Sequence, residues 1–127
     1  MTMIAGIGTD LVNVGRLKRI LDRWDRRFTA RVYTQREMDY CYKKAVPAIH
    51  FSARFAAKES FLKALGIGIG MGVHLRDIEV VNNPKGRPEL IVHRGAEAML
   101  AQRCIRQMQL SLTHTAEYAA AIVILEK

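Results

Sequence analysis

The chain predicts an α+β fold in a single domain, residues 1–127, with a largely antiparallel sheet packed against helices. Three observations carry this. Helix-like runs lie between strand-like runs that mostly pair as hairpins, not in a βαβ alternation. Strand-like runs come in pairs around short turns, one at Asn83-Pro-Lys-Gly-Arg-Pro88 and one at Thr113-His-Thr-Ala-Glu117. No repeat, low-complexity tract or long linker divides the chain.

Residues 3–13 are expected to form a strand with internal glycines. Residues 16–28 predict one amphipathic helix. At about 100° per residue, Leu17, Ile20, Leu21, Trp24 and Phe28 share one face and Arg16, Arg19, Arg23, Arg26 and Arg27 the other. Thr34-Gln-Arg-Glu37 has the spacing of a capping box and opens a second helix ending near Lys44. Pro47 suits the first turn of a third, long helix that runs to Gly66. Phe51, Phe55, Leu62 and Leu65 make its buried stripe, with Glu59 and Lys63 on one edge, Arg54 on the other, and Lys58 inside it. Gly66, Gly68, Gly70 and Gly72 make a loop. Residues 76–82 and 89–93 form a hairpin, residues 95–105 a helix, and residues 108–113 and 118–126 two further strands.

Half of the 127 residues are hydrophobic, which predicts a packed globule and excludes disorder. The net charge of +8 favours an anionic partner: nucleic acid, an acidic protein, a nucleotide or a membrane surface. Cys41 and Cys104 lack metal or redox spacing and are expected to be reduced thiols of a cytoplasmic protein. The first ten residues lack a basic leader and reach Asp10, unlike a signal peptide. The apolar run Tyr118–Leu125 is too short to span a bilayer, so no membrane partner is expected.

Asp10 and Glu59 are the candidate pair of hard oxygen ligands. For Asp10 the plainer alternative is a turn or cap, and for Glu59 with Lys63 a surface i,i+4 pair. Gly6 and Gly8 lack the third glycine of a dinucleotide fingerprint, and Gly66 follows a helix where that motif requires a strand. Gly66 is explained as a helix C-cap, and Gly68 marks a loop whose backbone can approach a ligand closely. Ser111 and His114 have no nucleophile-elbow context, which excludes serine-hydrolase chemistry. Seven basic and two acidic residues fall within 16–31, a one-sign stripe suited to an acidic surface.

Three segments together resemble a known family. Gly6-Ile-Gly-Thr-Asp10, Arg54-Phe-Ala-Ala-Lys-Glu59 with Lys63-Ala-Leu-Gly66, and Ser111-Leu-Thr-His-Thr115 with Tyr118-Ala119 are similar to the motifs of holo-[acyl-carrier-protein] synthases, the short AcpS-type phosphopantetheinyl transferases. The resemblance covers essentially the whole chain. It implies transfer of the 4'-phosphopantetheine arm of coenzyme A to a serine of apo-acyl carrier protein, releasing adenosine 3',5'-bisphosphate, in fatty acid biosynthesis. It also implies Mg²⁺ held by Asp10 and Glu59, and Lys63 on the phosphate and leaving group. Arg54, Lys58, Gly66, Gly68 and His114 would lie at coenzyme A. The carrier would dock on Arg16, Arg19 and Arg23. The serine proton leaves through Glu59 or a water on the metal, and both routes stay open. The family commonly has Glu at Asn13 and Thr at Ile67.

A homotrimer with sites between protomers is also implied. The run Ala119–Leu125 supports this, since it is apolar on both alternating faces and needs cover on both. Two other classes explain part of the pattern. A nucleic-acid module would use the +8 charge, but the few aromatics are not interleaved with arginines, so no nucleic-acid partner is expected. A metal-dependent phosphohydrolase would use Asp10 and Glu59, and release of inorganic phosphate from simple esters would mark it.

Overall fold

The structure, a computed structural model, describes residues 3–127; Met1 and Thr2 of the predicted domain lie outside the described residues. The element order is β1 (Ile4–Asn13), α1 (Val14–Trp24), α2 (Arg26–Val32), α3 (Gln35–Tyr42), α4 (Pro47–Leu65), β2 (Ile78–Asn82), β3 (Pro88–Val92), α5 (Arg94–Gln102), β4 (Gln107–His114) and β5 (Tyr118–Glu126). A short 3₁₀ turn, Leu75–Asp77, precedes β2. One sheet has the order β1-β5-β4 and the other is the β2-β3 hairpin, both antiparallel throughout. The expected α+β class and antiparallel pairing are therefore found.

The long helix α4 lies between layers instead of on one. Its sheet side packs on β1 and β5, and its other sides meet α1, α3 and β2. Phe51, Phe61 and Leu62 are almost wholly buried, each contributing about 1.5–3 kcal/mol. Ala53, Ala56, Ala57 and Ala64 are buried too, so the expected single stripe is only part of the buried surface. A helix covered on nearly every side has no solvent face for a one-sided pattern to reveal.

Gly6 and Gly8 explain how closely α4 sits. A Cβ at Gly8 would lie 1.8 Å from the Ser60 carbonyl oxygen, and one at Gly6 would lie 1.9 Å from that of Ala64. These glycines admit a helix backbone against a strand backbone.

Local caps match the sequence. Thr34 and Glu37 form the capping box of α3. Pro47 opens α4, and Gly66 closes it at φ 72°, with Ile67 N–H donating to the Leu62 carbonyl. The helix expected over 16–28 is instead split at Asp25, which has φ 44°. Asp25 accepts a hydrogen bond from the Tyr42 hydroxyl, and its carbonyl accepts the Thr29 amide. The apolar period continues through Phe28, so periodicity conceals the break. Trp24, expected on the buried face, is exposed with the Arg23 guanidinium over its ring.

Candidate active site

β1 and α4 bring Asp10 and Glu59 together. Asp10 pairs with Ala121 of β5 and so lies on the sheet face that α4 covers. One turn beyond Glu59, the Lys63 ammonium donates to Asp10 Oδ1 at 3.0 Å and to the Thr9 carbonyl at 3.2 Å. Burial pushes the Glu59 carboxyl above its ordinary pKa, and the Asp10 charge pushes the same way; Lys63 offsets part of this. Asp10 and Glu59 line a cleft of about 360 Å³ with Asn13, Arg16, Phe28 and Phe55.

The cleft's donor chemistry fits a hard divalent cation. Among the described residues no group of three or more His, Cys, Asp or Glu could cage a metal. A pair of carboxylates facing open space is the arrangement Mg²⁺ accepts when water and substrate phosphate complete its shell.

A second cluster occupies another side of α4. Arg54 precedes Glu59 by five residues, which turns it roughly 140° around the helix. Its guanidinium lies 4.1 Å from the Tyr40 ring centroid and donates to Asn82 Oδ1 at 3.0 Å, while its Nε is buried with no partner. Lys44 approaches the same ring at 4.5 Å. The rings of His50 and His114 are 6.0 Å apart. His114 and Asp10 lie on the two outer strands of the sheet, β4 and β1, with β5 between. Two strand spacings separate them by about 10 Å sideways. One chain thus carries a carboxylate cluster and a cationic cluster on different sides of α4.

Sequence reasoning missed Tyr40, Lys44 and His50. The spacing of His50 and Arg54, one turn apart on α4, was the available signal.

Lys58 needs correction as a substrate ligand. Its side chain has no exposure and sits 2.8 Å from Glu37 Oε1. It also donates to the carbonyls of Leu75 and Ile78. All three ammonium protons are thus spent inside the protein. Glu37 is equally committed, accepting from the Thr34 and Val80 amides at 3.0 Å. This buried pair ties α3 and α4 to β2 and leaves nothing for a phosphate.

The remaining candidates are dispersed. Gly66 caps α4, and the Gly68 amide faces the Met71 sulfur at 3.1 Å. Arg16 lines the carboxylate cleft, while Arg19 and Arg23 stand exposed on α1. Arg26 belongs to α2 and lies over Tyr42 at 4.9 Å. Asn13 caps α1, accepting from the Arg16 amide at 2.9 Å. Ile67 packs against the main core. Both departures from the family pattern therefore have structural work.

Residues 6–123 match the model of the 4'-phosphopantetheinyl transferase superfamily. The holo-[acyl-carrier-protein] synthase of Syntrophus aciditrophicus is 52% identical over 124 residues, covering 98% of this chain and 97% of that protein. The crystal structure of the Neisseria meningitidis holo-[acyl-carrier-protein] synthase superposes with a TM-score of 0.91 at 33% identity, covering 98% and 100% of the two chains. A Bacillus anthracis holo-(acyl-carrier-protein) synthase in complex with CoA (3',5'-ADP) gives 0.81 at 35% identity, covering 98% of each. The chain belongs to the 4'-phosphopantetheinyl transferase superfamily.

Proposed function

We propose that this chain is a holo-[acyl-carrier-protein] synthase that moves 4'-phosphopantetheine from coenzyme A to a serine of apo-acyl carrier protein. The observation that carries it is the convergence of Asp10, Glu59 and Lys63 in an open cleft of a chain 52% identical to a holo-[acyl-carrier-protein] synthase. The serine oxygen forms a bond to the phosphorus bearing the pantetheine arm. The bond from that phosphorus to the bridging oxygen breaks, and adenosine 3',5'-bisphosphate leaves with the electron pair. Such transfers depend on positioning and charge neutralisation.

Asp10 and Glu59 would hold Mg²⁺, whose charge would offset that of the pyrophosphate when bound. Lys63, already beside Asp10, is placed to meet charge developing on the leaving phosphate. The serine proton would leave through Glu59 or through a water held beside it. Arg54 and His114 bind a phosphate of coenzyme A, with Gly66 and Gly68 as backbone neighbours of the substrate. Arg16, Arg19 and Arg23 present like charge from α1 to the acidic carrier.

The protein acts as a homotrimer in this proposal. The outer sheet face, opposite α4, exposes Ile7, Leu11 and Ile122, apolar side chains that solvent disfavours. Burying that face between protomers would let the cationic cluster of one chain meet the carboxylate cluster of the next. Cys41 and Cys104 are free, as a reducing cytoplasm would keep them, and no helix among the described residues is long and apolar enough to cross a membrane. The pathway served is fatty acid biosynthesis.

The test is incubation with coenzyme A, Mg²⁺ and purified apo-acyl carrier protein, read by intact mass. The expected result is one phosphopantetheine added per carrier, abolished by Asp10→Ala. An unmodified carrier, or release of inorganic phosphate from simple esters, would contradict the assignment.

A further inference from the structure

The cationic cluster contains a group that the transfer chemistry leaves unused. His50 lies in the first turns of α4, half-buried, with its ring 6.0 Å from that of Tyr40 and 6.0 Å from that of His114. Four other groups face it. Tyr40 comes from α3, Lys44 from the connection to α4, Arg54 from the next turn of α4, and His114 from the end of β4. None of Lys44, His50, Arg54 or His114 forms an ion pair with a carboxylate among the described residues. Arg54 is 3% exposed and has only the neutral Asn82 amide as hydrogen-bond partner. A fold that gathers cations without a counter-ion leaves room for an anion. Burial first, then Lys44, Arg54 and His114, push the His50 imidazole below its ordinary pKa. An arriving phosphate would oppose the neighbouring positive charges by adding negative charge beside the ring.

We propose that His50 is the proton-accepting member of the phosphate subsite: it takes a proton from solvent when a dianionic phosphate of coenzyme A enters among Lys44, Arg54 and His114. This rests on the phosphate role proposed above for Arg54 and His114. The proton adds to the free imidazole nitrogen, converting it to a donor for a phosphate oxygen. Binding then strengthens as pH falls, by up to about tenfold per pH unit between the free-state and bound-state titrations.

The probe is adenosine 3',5'-bisphosphate, titrated calorimetrically into the whole enzyme above pH 7, where the phosphate is dianionic. Two non-phosphate buffers of different ionisation heat report the protons taken up. The expected result is clear uptake by the wild type, cut by at least half in both His50→Gln and His50→Phe. Dissociation constants should rise about tenfold from pH 7 to 8.5 in the wild type and stay nearly flat in those variants. Uptake that persists in both His50 variants, or disappears only in His114→Gln, overturns the proposal for His50 alone. Affinity for the bisphosphate that Arg54→Ala leaves unchanged overturns the phosphate assignment, and the proposal with it.

Discussion

Replacing Gly8 by alanine tests how the carboxylate pair is positioned. The new Cβ would lie 1.8 Å from the Ser60 carbonyl oxygen and 2.7 Å from the Ala64 amide nitrogen. Real Cβ contacts essentially never fall below 3.0 Å, so β1 and α4 must part by about 1.2 Å at that point. The obstacle is helix backbone, which has no rotamer to yield. Overpacking of this kind costs about 1–3 kcal/mol, and the upper end applies here. For a chain of this size that lowers Tm by about 5–15 °C. Asp10 is two residues from Gly8, while Glu59 and Lys63 move with the helix. A displacement near 1 Å between reacting groups costs about a hundredfold in rate. Transfer rates measured by intact mass should show kcat falling by about that factor. KM for the carrier should change less than kcat, because the clash falls on the α4 backbone and not on α1. Differential scanning calorimetry supplies the stability arm. Wild-type turnover together with a wild-type Tm would refute the close-approach argument.

Three further outcomes follow from the same geometry. Glu59→Gln should abolish transfer yet raise Tm at neutral pH. A carboxylate whose pKa is raised on folding lowers stability where it is ionised; that penalty shrinks as pH falls through the raised pKa and is gone below the ordinary carboxylate range, so calorimetry at pH 4 and 7.5 should show a larger gain over wild type at the higher pH. Lys58→Met should cost about 3–5 kcal/mol by leaving Glu37 buried without its partner, with an unchanged KM for coenzyme A in the folded fraction. A raised KM without lost stability would restore Lys58 to the substrate. Arg16→Glu with Arg23→Glu should raise KM for the carrier far more than for coenzyme A, and added salt should weaken carrier binding by the wild type in the same direction. Equal effects on both substrates would remove α1 from docking.

Much of this architecture was legible because local chemistry and global fold agree. The capping box at Thr34, Pro47 at the start of α4 and Gly66 at its end each fix a boundary by a residue's own conformational preference. The hairpin turns did the same for the strands. What escaped depends on tertiary context. Asp25 breaks a helix without interrupting its apolar period. Lys58 reads as an anomaly on an apolar stripe, and only the position of Glu37, 21 residues earlier, explains it. Gly6 and Gly8 fail as a nucleotide motif because their partner is the backbone of α4. Asp10, Glu59 and Lys63 could be named from motifs, whereas their contact at the β1–α4 seam could not. His50 and Lys44 join Arg54 only because the connection after α3 folds back over Tyr40.

The central claim is that the carboxylate cluster of one chain and the cationic cluster of its neighbour act on the same coenzyme A molecule across a protomer boundary. Subunit mixing tests it most directly. Asp10→Ala and His114→Ala proteins, each inactive alone, are combined under conditions where exchange is verified by native mass spectrometry, and transfer to the carrier is then measured. Mixed assemblies that regain part of the wild-type rate are expected, because some boundaries then join an intact carboxylate cluster to an intact cationic cluster. Verified exchange with no recovered activity would contradict the shared site.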